Sequence, residues 1–579
     1  MTGRFSLVLL ILYLYSSGLA QMPEEIEEVK LSRESWVRET LNQMTLDEKI
    51  GQLICLHFSG RYTGARRRWE KQIKELHIGG MILYGGNVLE TAKLTNELQQ
   101  IAKIPILFAS DFESGVGDEI RGATNFPNSM AIGATFSEQF TYEVGKITAL
   151  EARALGIHQT YAPVADLNNN PNNPIINTRS FGENPDTVAQ FVKAYIRGCQ
   201  NNWLMATAKH FPGHGDTRID SHISMPVIPF DRAHLDSVEL RPFRAAIDAG
   251  VASIMTAHLA VPAIEPDTSI PATLSKRVLT NLLRHQLHFN GLIVTDAMHM
   301  GAIVNNFGVG EAAVRAIKAG ADMILIPPDP QAAISSIKGA VEEGKITEKR
   351  IDESVRRILE LKARLGLHEN RFVALNKVDE LVGTKEHLDM AELIARRSIT
   401  LVKNGEQILP LTPNSLKKIM VISIYGDAKT RKHKIFKEEV KRRNKNVITF
   451  EVDPLTSAET YKTILDSCRN VDIVLCGMFM QVRAWRGTIG LPSPEVQLVK
   501  KVKELDNKVI VVSFGNPYLI MDFTEIDAYL CAYDAIVVSQ RAAVAAVFGE
   551  FNPTGRLPIS IPGLYRYGHS LSYDMPDNQ

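Results

Sequence analysis

Cysteine is scarce in this 579-residue chain. Its five cysteines, Cys55, Cys199, Cys468, Cys476 and Cys531, are odd in number and scattered, with no CxxC pair. That excludes a disulfide framework and any cysteine-based metal spacing. Cys55, Cys476 and Cys531 sit inside apolar runs and read as buried thiols. Net charge is also lacking. The 65 basic and 65 acidic residues cancel, which argues against a nucleic-acid partner recruited by phosphate attraction. The short basic runs Arg66–Arg68 and Lys441–Arg443 read as solvated faces, with lipid or polyanion contact as the competing reading. The N-terminal apolar run, Phe5 to Tyr15, falls short of the ~20 residues that cross a bilayer. Arg4 precedes it and the small residues Ser16 to Ala20 follow, the pattern of a cleaved secretory signal covering residues 1–20. An uncleaved anchor is the alternative. Without a cysteine at the cut no lipid anchor is expected, so the mature chain should be exported, periplasmic or extracellular, with no stable membrane insertion.

Length implies two large domains, or one large and one medium. From residue 50 to 330 short apolar runs alternate with longer amphipathic segments. The runs are 51–58, 80–84, 104–111, 158–166, 205–211, 253–258, 292–296 and 323–327, eight in all. Eight strand–helix units predict a TIM-like (β/α)₈ barrel over residues 21–367. An amphipathic helix with Ile351, Val355, Ile358, Leu359 and Leu365 closes it. Residues 368–394 are polar and irregular and read as a linker. Beyond them, runs at 398–403, 418–425, 447–452, 471–478, 508–514 and 528–532 are almost continuously Val and Ile. Such strands are buried on both faces, which predicts a smaller, mainly parallel α/β/α sandwich domain over 395–579. No GxGxxG or P-loop follows its strands, so a nucleotide role lacks support.

The polar residues within the first eight runs carry the chemistry. Asp111, Asp166, Lys209, His210, His258 and Asp296 each sit where a strand ends. In a barrel those ends meet at one mouth, where active sites form. The densest stretch is Lys209-His210-Phe211-Pro212-Gly213-His214-Gly215-Asp216-Thr217, continuing to Asp220-Ser221-His222. Its glycines and proline make it a loop. A carboxylate two residues from a histidine can fix the imidazole tautomer and raise its proton affinity, as a general acid requires. A solvated loop and a zinc site are the other readings. Flexible glycines between the ligands and the lack of an HExxH helix count against zinc. In Gly291-Leu292-Ile293-Val294-Thr295-Asp296 an apolar strand delivers one carboxylate to the mouth, making Asp296 a candidate nucleophile; a structural helix cap is the alternative.

Taken together, Asp111-Phe112-Glu113, Ala162-Pro163-Val164-Ala165-Asp166, Arg179-Ser180-Phe181-Gly182, the KHFPGHGDT…DSH segment, Thr295-Asp296 and Asn552-Pro553-Thr554-Gly555-Arg556-Leu557-Pro558 resemble family 3 of the glycoside hydrolases. The similarity is to its β-N-acetylglucosaminidase branch and runs from about Trp36 to Tyr573. It implies Asp296 as nucleophile, His222 as acid/base oriented by Asp220, and Asp111, Arg179, Lys209 and His210 as contacts of the terminal sugar. His258 is placed with the substrate-binding set at the same mouth. The β-glucosidase branch pairs its nucleophile with a Trp and draws an acid/base Glu from the second domain, whereas here Ala297 follows Asp296. One departure concerns the segment after Glu113: Ser114-Gly115-Val116-Gly117 intervenes and Arg121 comes late, so a sugar-contacting arginine is lost or displaced.

The resemblance implies an exported retaining exo-β-N-acetylglucosaminidase acting on an amino-sugar oligosaccharide, from peptidoglycan fragments or chitooligosaccharides. The alternatives are a phosphorylase of the same glycosides, since a neutral imidazole does not repel an anionic acceptor, a β-glucosidase or β-xylosidase, and a sugar-binding protein with a dead site. No metal or other cofactor is implied, because every step is acid/base and nucleophilic chemistry within reach of side chains. Oligomeric state is not fixed by the sequence.

Overall fold

A computed structural model describes residues 27–61, 65–413, 417–428, 434–482 and 485–573. The N-terminal signal segment 1–20 lies outside the described residues. In the first domain the strands are β1 (Ile54–Gly60), β2 (Gly80–Asn87), β3 (Leu107–Ser110), β4 (Ile120–Arg121), β5 (Gln159–Thr160), β6 (Thr207–Phe211), β7 (Ser253–Thr256), β8 (Leu292–Val294) and β9 (Ile324–Leu325). All pairings among them are parallel. Apart from β4, a short addition to β2, they correspond one for one to the eight apolar runs.

These strands form two curled sheets, ordered β5-β3-β2-β1-β9 and β6-β7-β8. Among the described residues no continuous eight-stranded ladder is present. Isolated bridges join the sheets at the seams, Gln159 with Met205 and Val164 with Lys209 at one and Val294 with Met323 at the other. The seam strands are short for a physical reason. Pro163 follows β5 and Pro327-Pro328 follows β9, and proline has no N–H to donate to a ladder. Helices such as Val88–Ile101, Pro185–Gln200 and Val309–Ala319 connect successive strands. Their starts are marked locally: Asn184 caps Pro185–Gln200 and Thr347 caps Glu348–Arg364. Inside, Phe58, Ile82, Phe108, Ile254 and Ile293 belong to one buried cluster.

The second domain holds β10 (Thr400–Asn404), β11 (Ile419–Tyr425), β12 (Val447–Val452), β13 (Ile473–Phe479), β14 (Lys508–Ser513) and β15 (Ala528–Cys531), in the order β10-β15-β14-β13-β11-β12. Only β10 runs antiparallel. Alternate residues of β13 enter different cores: Val474, Cys476 and Met478 face helices Ala458–Cys468 and Ser493–Glu504, while Ile473, Leu475 and Phe479 face Ile435–Arg443 and Val537–Val547. That double burial is what the unbroken Val/Ile runs encode. All five cysteines are buried and free.

Residues 368–394 are not an irregular linker. They include helices Val378–Leu381 and the start of Lys385–Ser398. Val378, Val382 and Ala391 are buried, and His387 Nδ1 lies 2.8 Å from Glu151 of the first domain. The polar composition concealed an apolar spacing of helical period. The domains also share a core. Met130, Ala131 and Ala134 of helix Ser129–Ala134 pack into the second domain's cluster, and the Asn128 amide donates to Asp534 Oδ2 at 2.9 Å.

Candidate active site

The C-terminal ends of the first-domain strands surround a polar cavity of about 360 Å³. Asp111, Arg179, Lys209, His210, His222 and Asp296 all line it. At one side Lys209 Nζ, in the middle of β6 and almost fully buried, donates to Asp111 Oδ1 (2.7 Å) and reaches Glu113 Oε1 at 2.6 Å. Arg179 donates through Nε and Nη2 to the two oxygens of Glu113, at 2.9 and 2.7 Å. Tyr84 Oη donates to Asp111 Oδ2 at 3.1 Å. Burial disfavours a charged Glu113, yet Arg179 and Lys209 together hold its carboxyl far below the usual carboxylate range. Both cations are therefore fixed in place by ion pairs, leaving fork and ammonium edges for hydroxyl oxygens.

Asp296 follows β8. Its Oδ1 accepts from the Ala297 amide at 2.7 Å. Burial opposes its ionisation, but the imidazoles of His258, His210 and His222 and the Ala297 N–H prevail and hold the carboxyl at about 2. It is a carboxylate at any working pH. The loop after β6 carries the imidazole. Asp220 is buried, and its Oδ1 accepts from His222 Nδ1 (2.7 Å) and the His222 amide (2.9 Å). An ionised carboxylate only accepts, so the ring proton sits on Nδ1 and Nε2 is left for chemistry.

Asp166 clamps the base of this loop. Its oxygens accept from His210 Nδ1 (2.7 Å), the His210 amide (3.1 Å) and the His214 amide (2.7 Å). Gly215 allows the loop to lie on the first domain, since a Cβ there would meet the Leu167 carbonyl oxygen at 1.6 Å.

His258 requires a correction. It does not line the cavity; its ring is wholly buried behind Asp296. Nε2 donates to the Ala297 carbonyl (3.2 Å) and Nδ1 meets the Thr273 hydroxyl (2.8 Å). It supports the Asp296–Ala297 turn rather than meeting a ligand, because two residues past β7 its ring packs behind that turn instead of lining the cavity. Arg121 is exposed and lies off the cavity, whereas Asp118 and Glu119 line it. Glu119 is pushed up to about 7, first by burial and then by the charges of Asp111 and Glu113. Sequence reasoning also missed Tyr84, His299 and Trp485. The first lies on a strand already identified, but Trp485 comes from the second domain, and no local spacing signals it.

Fold and site thus define a two-domain α/β hydrolase with a carboxylate and an Asp–His pair facing one sugar-sized polar cavity. Residues 45–361 match the glycosyl hydrolase family 3 N terminal domain and residues 399–576 the family 3 C-terminal domain; the chain belongs to glycoside hydrolase family 3. It is 30% identical over 542 residues to a beta-N-acetylglucosaminidase/beta-glucosidase of Cellulomonas fimi, covering 91% of this chain and 95% of that protein. A family 3 beta-N-acetylglucosaminidase structure from Paenibacillus sp. str. FPU-7 superposes with a TM-score of 0.82 at 34% identity, covering 90% of this chain and 99% of that one. A beta-glucoside phosphorylase structure gives a TM-score of 0.84 at 28% identity, covering 92% of this chain and 97% of that one.

Proposed function

We propose that this family 3 hydrolase is a retaining exo-β-N-acetylglucosaminidase. The observation that carries the reading is the Asp220–His222 pair, bonded at 2.7 Å beside the ionised Asp296. Asp111, Arg179, Lys209 and His210 hold the terminal sugar. Asp296 attacks the anomeric carbon while the glycosidic C–O bond breaks and protonated His222 passes the Nε2 proton to the leaving oxygen. A glycosyl-aspartate results. His222, now neutral, takes a proton from water as the water oxygen attacks the same carbon and frees Asp296. Asp220 stabilises the imidazolium in both half-reactions. The relatives named for N-acetylglucosaminides support the substrate class, and the signal-like N-terminus supports export to where peptidoglycan fragments or chitooligosaccharides occur.

Phosphorolysis is the second reading, favoured by the likeness to a beta-glucoside phosphorylase. Asp118 and Glu119 line the cavity, but burial pushes both carboxyls up, so neither is a fixed charge that excludes an anionic acceptor, and product analysis separates the two readings. The test compares chromogenic β-N-acetylglucosaminide with the matching β-glucoside, with and without phosphate, for wild type and Asp296→Ala. Preferred cleavage of the acetylated sugar, free sugar rather than sugar 1-phosphate as product, and loss of turnover in a folded variant are expected. A preferred glucoside, a phosphate ester, or an active Asp296→Ala protein would overturn the reading. Export is tested by sequencing the mature N-terminus, expected at Gln21.

A further inference from the structure

Trp485 occupies an unusual position for a large aromatic residue. It is 54% exposed, lies on a second-domain turn, and has φ of 69°. The left-handed region is disfavoured for a bulky L-residue, so surrounding contacts must enforce it. On the second-domain side Arg486 Nη2 donates to the Gly426 carbonyl just past β11, and Asn516 Nδ2 donates to the Ile489 carbonyl at 3.1 Å. On the first-domain side the turn meets the His222 loop. The Trp485 amide donates to Asp220 Oδ2 at 2.8 Å, and the indole lies 5.4 Å from the His222 ring and 6.5 Å from that of His299. A Cβ on Gly487 would lie 3.3 Å from Ile223 Cδ1, so the same turn abuts the loop again.

We propose that Trp485 is a positioning residue through which the second domain fixes the proton-donating geometry of the Asp220–His222 pair. Asp220 has two oxygens and two tasks. Oδ1 orients the imidazole; Oδ2 is occupied by an amide from the other domain. That second bond prevents the carboxylate from rotating about its own side chain and helps hold it ionised, against burial. The indole limits where the His222 ring can tilt. Without the second domain's turn, the acid/base would sit on a glycine-rich loop with one face of its orienting carboxylate free. This assignment rests on His222 being the acid/base.

The test exploits what a general acid does. Protonation helps a poor leaving group greatly and a very good one hardly at all. We would measure kcat/KM, which reports glycosyl transfer to the enzyme, for wild type, Trp485→Gly, Trp485→Phe and His222→Ala. The substrates are aryl glycosides from dinitrophenyl to unsubstituted phenyl, on whichever glycone wild type cleaves. Glycine tolerates the backbone angle and keeps the N–H, so Trp485→Gly removes only the ring. The expected result is a loss on the order of tenfold on the phenyl glycoside and under about threefold on the dinitrophenyl one, a partial copy of His222→Ala, with Trp485→Phe restoring most activity. A uniform loss across the series, or none, with His222→Ala still selective, would overturn the proposal alone. If His222→Ala itself loses activity uniformly, the acid/base reading falls and the proposal falls with it.

Discussion

The Gly301 amide donates to the His222 carbonyl at 2.9 Å, so the chain leaving Asp296 is tied directly to the loop that carries the imidazole. Ala302 adds a second bond, to the Ser221 carbonyl at 3.2 Å. Helix Gly301–Val304 therefore sets the distance between the carboxylate and the acid/base. Gly301 is required at this approach. A Cβ there would lie 2.5 Å from the carbonyl oxygens of both His222 and Ile223. Gly301→Ala should push the loop away from Asp296. A displacement near 1 Å at a reacting group costs on the order of 100-fold, so kcat should fall by about that factor while sugar binding, read by competitive inhibition, changes little. A variant with wild-type kcat would show that the loop is not set by this helix.

Lys209 bridges Asp111 and Glu113 with almost no solvent contact. Lys209→Met leaves two carboxylates close together and only Arg179 to offset Glu113. Breaking a buried ion pair by removing one partner costs about 3 kcal/mol, which urea denaturation would read. The sign with pH follows from Glu113. Burial raises its carboxyl, but Arg179 and Lys209 depress it below the ordinary value. A depressed carboxyl stabilises above its unfolded pKa, and that stability is lost as pH falls through the folded value. In Lys209→Met the folded value rises, so acid destabilisation should begin at higher pH than in wild type. KM should rise as well, because a sugar-facing donor is gone.

Asp166 offers a contrasting case, since it touches no part of the cavity. It receives three N–H bonds from the His210–His214 stretch and is fully buried. Asp166→Ala should cost about 3 kcal/mol by leaving buried donors unpaired. Activity should fall through misplacement of His210 and the following loop, with both kcat and KM affected. Unchanged kinetics in a folded protein would show that the loop keeps its shape without the clamp.

How much was legible follows from which residues announce themselves. Ile293 and Val294 run into Asp296, and Ala208 into Lys209 and His210; an apolar strand ending in charge is visible in one dimension. The eight strands and the two-sided burial of β13 were readable for the same reason. Seam geometry was not, because Pro163 and Pro327 shorten strands only by withholding N–H groups from particular neighbours. His258 shows a different limit: a polar residue at a strand end can turn to the mouth or to the interior, and the sequence does not say which. Residues 368–394 concealed Val378, Val382 and Ala391 among charges. Trp485 had no signal at all, since its importance comes from surfaces that meet only after both domains dock, and Glu119 had none because Gly85, Asp111 and Glu113 gather round it only in the folded first domain.

Glu239 gives stability a pH dependence opposite to that of Glu113. Its side chain is buried beside the loop, where Oε1 accepts from Asn169 Nδ2 at 3.1 Å and Oε2 is unpartnered. Burial, aided by the charges of Asp166 and Asp216, pushes its carboxyl up to about 7 despite the bond from Asn169. The folded state therefore holds a proton that the unfolded chain releases above its ordinary value of 4.5. Below that value the group is neutral in both states and exerts no penalty. As pH rises through the window to about 7 the unfolded state is increasingly favoured, and stability falls. Glu239→Gln keeps the shape and cannot ionise. It should remove this decline, raising stability near pH 8 by roughly 2 kcal/mol while leaving pH 4 nearly unchanged. Urea midpoints for both proteins at the two pH values decide it. An equal shift at both would mean that packing, not ionisation, separates the variant from wild type.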